Sequence, residues 1–227
     1  MCGRYSLTSP VEALRALFQF DGPLPNLAPN YNVAPTQAVP IVRLEQGVRH
    51  LAFARWGLIP SWAKEVSAKP LINARAETVA EKPSFRAAFR RRRCLVPADG
   101  YFEWQKTRQG TKQPYNIVLS DTGPFGMAGI WQTWSAADGS EIDSVAIITI
   151  DANSKLAPIH DRMPVILKPA DYDRWLDSDR FDRQQAKALL RPAQQDFLRA
   201  YPISRRVNAV SNNDAAIVAP VGDGLQG

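Results

Sequence analysis

Short apolar runs, rather than long amphipathic repeats, dominate the hydrophobic pattern of the chain. Residues 38–44 and 50–56 are rich in apolar side chains, and the second segment alternates partly between apolar and polar positions. Gln46-Gly47 lies between them, and this arrangement predicts a β-hairpin. Short apolar runs that end at turn signals are typical of buried strands. They predict further strands over 94–97, 101–104, 115–119, 125–131 and 145–150.

The predicted helices are short and lie between the strands. Ser9, Pro10 and Glu12 have the spacing of a capping box. Leu14 and Phe18 follow on the apolar face of the helix that this box would begin. Further short helices are predicted over 84–89, 153–159, 171–176 and 182–190.

The order of these elements indicates the fold class. Strands and helices are interspersed, several hairpins are expected, and the chain has no convincing linker, internal repeat or low-complexity segment. We therefore predict an α+β fold, in which a mainly antiparallel, barrel-like β core is flanked by short helices. The single domain is expected to span residues 1–221, with a flexible tail at 222–227.

The composition mainly excludes classes of protein, such as disulfide-rich and membrane-spanning ones. The 227 residues are 45% hydrophobic, and Cys2 and Cys94 are too few for a disulfide framework or a cysteine cluster. Apolar runs are shorter than the roughly 20 residues of a membrane span, and the N-terminus lacks a signal peptide's hydrophobic core. We expect a cytoplasmic protein without membrane association. Its net charge of +6 leans towards an anionic partner.

The N-terminus carries the most specific candidate chemistry. Cys2 follows Met1 directly, and because its side chain is small we expect Met1 to be removed. The mature residue would then carry a free α-amine beside its thiol. Such a pair reacts with an aldehyde through a Schiff base that the thiolate closes to a thiazolidine, with the high effective molarity of an intramolecular step. In the alternative interpretation, Cys2 is a small apolar residue near a flexible terminus.

Three internal polar residues are candidates for proton transfer or orientation. Glu103 lies between two aromatic residues, where desolvation tends to raise the pKa of a carboxyl group; strand alternation would instead direct it to solvent. His160 stands beside Asp161 after a predicted helix, as an acid–base group or as a capping or surface histidine. Asn73 lies where the sequence turns from apolar to polar, and it either orients an oxygen atom or caps a turn.

Basic and aromatic residues suggest a nucleic-acid surface. Arg4 and Arg75 have the fork geometry that binds phosphate, although a single arginine is more often part of a surface ion pair. The run Arg90–Arg93 indicates either a nucleic-acid patch or a solvated face.

Aromatic and proline side chains add a possible stacking surface. Pro35, Trp62 and Trp104 are candidates for an apolar ledge on which bases stack. Packing in the core is the alternative for each of them.

Six motifs, taken together, make the chain resemble the SRAP family of abasic-site processing proteins. They occur in the expected order as MCGRY, YNVAPT, ARWGLIPSWA, LINARAET, CLVPADGYFEW and PIHDRMPVIL. The resemblance covers residues 2–221. The chain departs from it at Trp62, which stands alone where some relatives carry two adjacent tryptophans.

The resemblance implies a sensor of abasic sites in single-stranded DNA that crosslinks covalently to the ring-opened sugar as a thiazolidine, mainly at replication forks. It implies no cofactor and no metal, and we expect a monomer that also binds at junctions of single and double strands. The implied catalytic residues are Cys2, Asn73, Glu103 and His160. The implied DNA-binding residues are Arg4, Arg75, Pro35, Trp62, Trp104 and Thr149.

Two other functions remain open at this stage. The family has also been classed as a peptidase, so a cysteine-type N-terminal hydrolase with self-processing activity is one alternative. A non-covalent single-strand-binding module is the other. An abasic-site lyase activity through the Schiff base is compatible with the first interpretation.

Overall fold

The computed structural model describes residues 2–222, in which short strands outnumber short helices. The strands are β1 (Tyr5–Leu7), β2 (Asn30–Val33), β3 (Ala38–Glu45), β4 (Val48–Trp56), β5 (Asn73–Arg75), β6 (Arg93–Ala98), β7 (Gly100–Lys106), β8 (Lys112–Leu119), β9 (Phe125–Ser135), β10 (Glu141–Asp151), β11 (Arg162–Pro164), β12 (Ile166–Leu167) and β13 (Leu198–Pro202). The α-helices are α1 (Val11–Phe18), α2 (Arg86–Arg91), α3 (Tyr172–Leu176) and α4 (Arg183–Lys187). Short 3-10 helices cover Pro169–Asp171, Gln195–Phe197, Arg205–Asn208 and Ala215–Ile217.

Five strands close into a barrel at the centre of the molecule. Their order is β10, β4, β3, β6 and β9, and β9 returns to pair with β10. All of these pairs are antiparallel except β4–β10, which is parallel. Closure leaves no free edge in the ring. The α+β fold with a mainly antiparallel, barrel-like core is therefore confirmed.

A second sheet brings the N-terminus to the barrel. Its order is β13-β8-β7-β1-β2, and every pair is antiparallel. Tyr5 of β1 pairs with Tyr101 of β7. Because side chains alternate along a strand, Tyr101 and Glu103 share one face of this sheet, while Phe102 and Trp104 occupy the other.

The predicted hairpin is confirmed. Strands β3 and β4 pair from Ala38 opposite Arg55 to Glu45 opposite Val48. Gln46 and Gly47 connect them, both with positive φ, at 50° and 80°. Such dihedral angles define a tight two-residue turn that matches the twist of the strands.

The capping box predicted at Ser9 is wrong. Helix α1 does begin after Pro10, but the N-cap makes no side-chain hydrogen bond. The Ser9 hydroxyl donates instead to Asp99 at 2.6 Å, and the Ser9 backbone N–H donates to the same carboxylate at 2.8 Å. A charged acceptor from a distant strand competes successfully with the local cap, since hydrogen bonds to ionised groups are the stronger ones.

The helix predicted over 153–159 is also wrong, because the segment forms hydrogen-bonded turns. Asn153 does cap them, and its side chain accepts the backbone N–H of Leu156 at 3.0 Å. Pro158 has no N–H to continue a helical ladder, so the chain turns and delivers His160 to the site.

Two further predictions concern the ends and the membrane. Residues 223–227 of the predicted tail lie outside the described residues. Within residues 2–222, no helix is long and apolar enough to cross a membrane.

Candidate active site

Asn73 holds the backbone of Cys2. Its side-chain amide donates a 2.8 Å hydrogen bond to the Cys2 carbonyl, across 71 positions of sequence. Asn73 begins β5, which pairs in parallel with β10, so that Asn73 lies opposite Ile147 and Arg75 opposite Thr149. Sheet pairing thus fixes the amide that positions the candidate nucleophile.

Glu103 is a buried carboxyl group in the same region. Its residue is only 3% exposed, and burial raises its pKa to about 7. At neutral pH, protonated and ionised forms are therefore both well populated. A carboxyl group in this state can donate a proton in one step and accept one in the next.

His160 faces Glu103 from the loop that follows the turns at 154–159. Its Nε2 lies 3.8 Å from Oε2 of Glu103. On the other side of the ring, Nδ1 accepts the backbone N–H of Arg162 at 3.0 Å and lies 2.8 Å from a carboxylate oxygen of Asp161.

The two contacts of Nδ1 favour different protonation states. A neutral Nδ1 accepts the Arg162 N–H, whereas a protonated Nδ1 would donate to Asp161. Burial lowers the pKa of His160, and the Asp161 side chain is 85% exposed, so its carboxylate is well solvated. The neutral ring with its proton on Nε2, directed towards Glu103, is therefore the dominant form near neutral pH.

Arg162 forms hydrogen bonds with several segments of the site. Its guanidinium binds both carboxylate oxygens of Glu77, at 2.8 and 3.0 Å, and the Thr149 carbonyl at 2.6 Å. It also reaches Asp151 at 2.5 Å. One side chain thereby links strand β10, the segment after β5 and the loop of His160. Thr149 itself is buried, and its hydroxyl has no hydrogen-bond partner within the described chain.

The thiol of Cys2 is buried in the chain that carries Met1. Burial raises its pKa well above the ordinary range, and the nearby charge of Glu103 adds to this. A neutral, desolvated thiol is a poor nucleophile. A cationic α-amine on the same residue would favour the thiolate, because an opposite charge stabilises the ionised form.

Arg4 is less available to DNA than the sequence suggested. Its guanidinium binds the Asn32 side chain at 2.7 Å and the Val207 carbonyl at 2.9 Å, with a longer contact of 3.5 Å to the Asn208 carbonyl. Burial lowers its pKa. Arg75, in contrast, is exposed and forms no ion pair with the residues that the structure describes.

The ledge residues are distributed over separate elements. Trp104 lies on β7, next to Glu103, and its indole N–H donates to the Asn208 side chain at 2.8 Å. Trp62 is 67% exposed and lines a hollow of about 210 Å³ after β4. Pro35 follows β2 and is partly buried. Across residues 2–222, neither Pro35 nor Trp62 forms a hydrogen bond or ring contact with the other candidate residues.

The arginine run at 90–93 does not form one patch. Arg93 is 2% exposed, and its guanidinium donates to the carbonyl oxygens of Trp175, Asp177 and Phe181. Arg93 is buried against α3 and the segment that follows it, so only part of the run can meet an anion. No group of three or more His, Cys, Asp or Glu in the described part of the chain could hold a metal ion.

Asn32 is a residue of the site that sequence reasoning missed. It is buried, accepts from Arg4, and donates to the carbonyl oxygens of Val207, Ala209 and Asn212. Its place between strand-forming residues, Tyr31 and Val33, was the available signal, since a buried asparagine in a strand needs specific partners.

The fold and the site define an α+β barrel protein in which Cys2 lies near a buried carboxyl–imidazole pair. A family model described as SOS response associated peptidase (SRAP) matches residues 1–210. The chain therefore belongs to the SRAP family.

Named relatives are similar over nearly the whole chain. "Abasic site processing protein YoqW" of Bacillus subtilis is 38% identical over 221 residues, which cover 96% of this chain and 99% of the relative. "Abasic site processing protein HMCES" of Rattus norvegicus is 34% identical over 272 residues. The match covers 97% of this chain and 76% of the relative. A solved structure from Bacteroides thetaiotaomicron superposes with a TM-score of 0.86 at 30% identity, covering 97% of this chain and all of that one.

Proposed function

We propose that this protein recognises abasic sites in single-stranded DNA and links to them covalently through Cys2 after removal of Met1. The observation that carries the proposal is the placement of Cys2 by Asn73 beside Glu103, a carboxyl group with a pKa of about 7. Relatives named abasic site processing proteins support the choice of substrate. Such a crosslink would shield the lesion wherever single-stranded DNA is exposed during replication.

The first step opens the abasic sugar. As the C1′–O4′ bond breaks, O4′ takes the Nε2 proton of His160. The proton of the anomeric hydroxyl passes through water to Nε2, so that an aldehyde remains at C1′ and His160 is neutral again. Asn73, whose side-chain oxygen is buried without a hydrogen-bond partner within residues 2–222, can accept the N–H of the terminal amine. This orients the amine towards the aldehyde.

The second step forms the thiazolidine ring, and in it Glu103 first donates a proton and then accepts one. The neutral amine adds to C1′, and one of its protons moves to the former aldehyde oxygen. Protonated Glu103 then gives its proton to this hydroxyl, which leaves as water from an iminium ion. The Cys2 thiol then gives its proton to the Glu103 carboxylate. Its sulfur bonds to C1′ while the C=N electron pair returns to nitrogen. The products are one thiazolidine, one water and the original protonated Glu103.

A peptidase is the second candidate, because the family model is described as one. It is less well supported by the chemistry of the site. Cysteine peptidases need a thiol with a depressed pKa next to a base. Here the base that would have to activate the thiol, His160, directs its ring at Glu103, with Nε2 3.8 Å from Oε2.

The test is direct. We expect purified protein with an exposed Cys2 to form an adduct with abasic single-stranded DNA that survives denaturation. Intact DNA and a tetrahydrofuran analogue, which has no aldehyde, should give none. Strand cleavage measured in the same gels reports lyase activity through the Schiff base. Peptide cleavage without a DNA adduct would replace the proposal with the peptidase, and equal non-covalent binding to all strands would replace it with a binding module.

The two candidate DNA arginines should behave differently when replaced. Arg75→Ala is expected to weaken binding to intact and abasic single strands alike and to reduce the slope of log affinity against log salt by about 0.7, the value of one phosphate contact. Arg4→Ala should weaken binding too, but it should also lower the free energy of unfolding by about 2 kcal/mol, because it removes hydrogen bonds from a charged donor.

Fluorescence anisotropy across a salt series and thermal unfolding measure both effects. Arg75→Lys, which keeps the charge, is the matched control and should retain the slope. An unchanged slope for Arg75→Ala would place this arginine outside the interface.

A further inference from the structure

A short helix near the C-terminal end of the described residues packs next to the candidate site. Residues Arg205–Asn208 form a single 3-10 helix. Val207 points inwards and belongs to a small apolar cluster with Phe102, Ile203 and Ile217, on the face of the second sheet that also carries Trp104. The helix is therefore fixed against the strand that bears Glu103.

Both predicted DNA-contacting residues of this region touch the same helix. Arg4 donates to the carbonyl oxygens of Val207 and Asn208, and Trp104 donates to the Asn208 side chain. The surface around Arg4 and Trp104 thus adjoins the 3-10 helix.

The geometry of the helix places Arg205 on this surface. In a 3-10 helix, side chains three positions apart eclipse one another. Arg205 and Asn208 therefore lie on the same face, and Asn208 is the residue that contacts Trp104. Arg205 is exposed, and its guanidinium forms no ion pair within the described part of the chain.

The neighbouring arginine has a different environment. Arg206 is also exposed, but its guanidinium binds the Asp214 carboxylate at 2.8 Å. The Asp214 carboxylate thereby neutralises the charge of Arg206, whereas the charge of the adjacent Arg205 has no such partner within residues 2–222.

We propose that Arg205 binds a phosphate of the single strand whose base stacks on Trp104, which extends the DNA surface onto the 3-10 helix. The guanidinium fork matches two phosphate oxygens, and a free cation beside an aromatic face suits a nucleotide better than an acidic peptide. This inference rests on the proposed function for its partner, DNA, but it concerns binding and does not require the covalent step.

The experiment measures non-covalent affinity with intact fluorescent oligonucleotide, so that no adduct forms. Arg205→Gln is expected to weaken binding roughly tenfold at low salt and to reduce the salt slope by about 0.7. Arg206→Gln removes the same formal charge from the adjacent residue and should leave the slope unchanged. Arg205→Lys should restore most of the slope, because it restores the charge.

Two outcomes would overturn the inference. A wild-type slope in Arg205→Gln would show that this arginine makes no phosphate contact. Equal losses in Arg205→Gln and Arg206→Gln would show a general effect of net charge. Absence of an adduct between the wild-type protein and abasic DNA would contradict the proposed function, and the binding series would still stand on its own.

Discussion

Protein that retains Met1, or carries a tag before Cys2, is expected to form no stable adduct with abasic single-stranded DNA. The nitrogen of Cys2 is then an amide, whose lone pair is delocalised into the neighbouring carbonyl. It cannot form a Schiff base, and the thiol alone gives at most a reversible hemithioacetal. The expected effect is complete loss of the denaturation-resistant product on gels, while single strands still bind.

The decisive control is the same protein before and after a protease exposes Cys2. Cleavage should restore the adduct, and mass spectrometry should place it on the N-terminal residue. Cys2→Ala with an exposed amine separates the two nucleophiles, because borohydride should still trap its Schiff base although no thiazolidine forms. If the blocked protein crosslinks as fast as the exposed one, the thiazolidine mechanism is wrong.

Replacing the two proton-transfer groups should slow adduct formation by roughly 10²–10⁴-fold each. Glu103→Gln removes the group that protonates the departing hydroxyl and then accepts the thiol proton. His160→Ala removes the donor to O4′. DNA affinity should change much less, since neither residue is proposed to contact phosphate. Single-turnover rates at saturating protein measure the chemistry apart from binding.

The pH profile identifies the carboxyl group. With a pKa of about 7, Glu103 is protonated below neutrality and can act as the acid, and it is ionised above neutrality and can act as the base. The wild-type rate should therefore inflect near pH 7. In Glu103→Gln that inflection should vanish and leave the α-amine, with its pKa near 8, to set the profile.

A substrate with a linear aldehyde tests the role of His160. Such a substrate needs no ring opening, so it should restore the rate of His160→Ala and leave Glu103→Gln slow. Equal rescue of both variants, or of neither, would contradict the separate roles given to the two residues.

Local sequence predicted the strands of the barrel and the hairpin turn well, because short apolar runs and turn residues act over neighbouring positions. The two wrong helix predictions had different causes, one distant and one local. Asp99 accepts the hydrogen bonds of Ser9 that a helix cap would have used, and Pro158 interrupts a segment with otherwise helical residues. The motifs also suggested the candidate chemistry at Cys2, Asn73, Glu103 and His160, whose roles stay predictions.

The amino-acid sequence by itself determined the strand pattern, the family resemblance and the presence of a cysteine directly after Met1. The tertiary structure decided which side chains meet. Parallel pairing of β5 with β10 places Asn73 where its amide donates to the Cys2 carbonyl. Burial raises the pKa of Glu103. Arg4 finds its partners 203 and 204 positions away. Such long-range hydrogen bonds depend on how the strands and the 3-10 helix pack together, and no local pattern of residues encodes them.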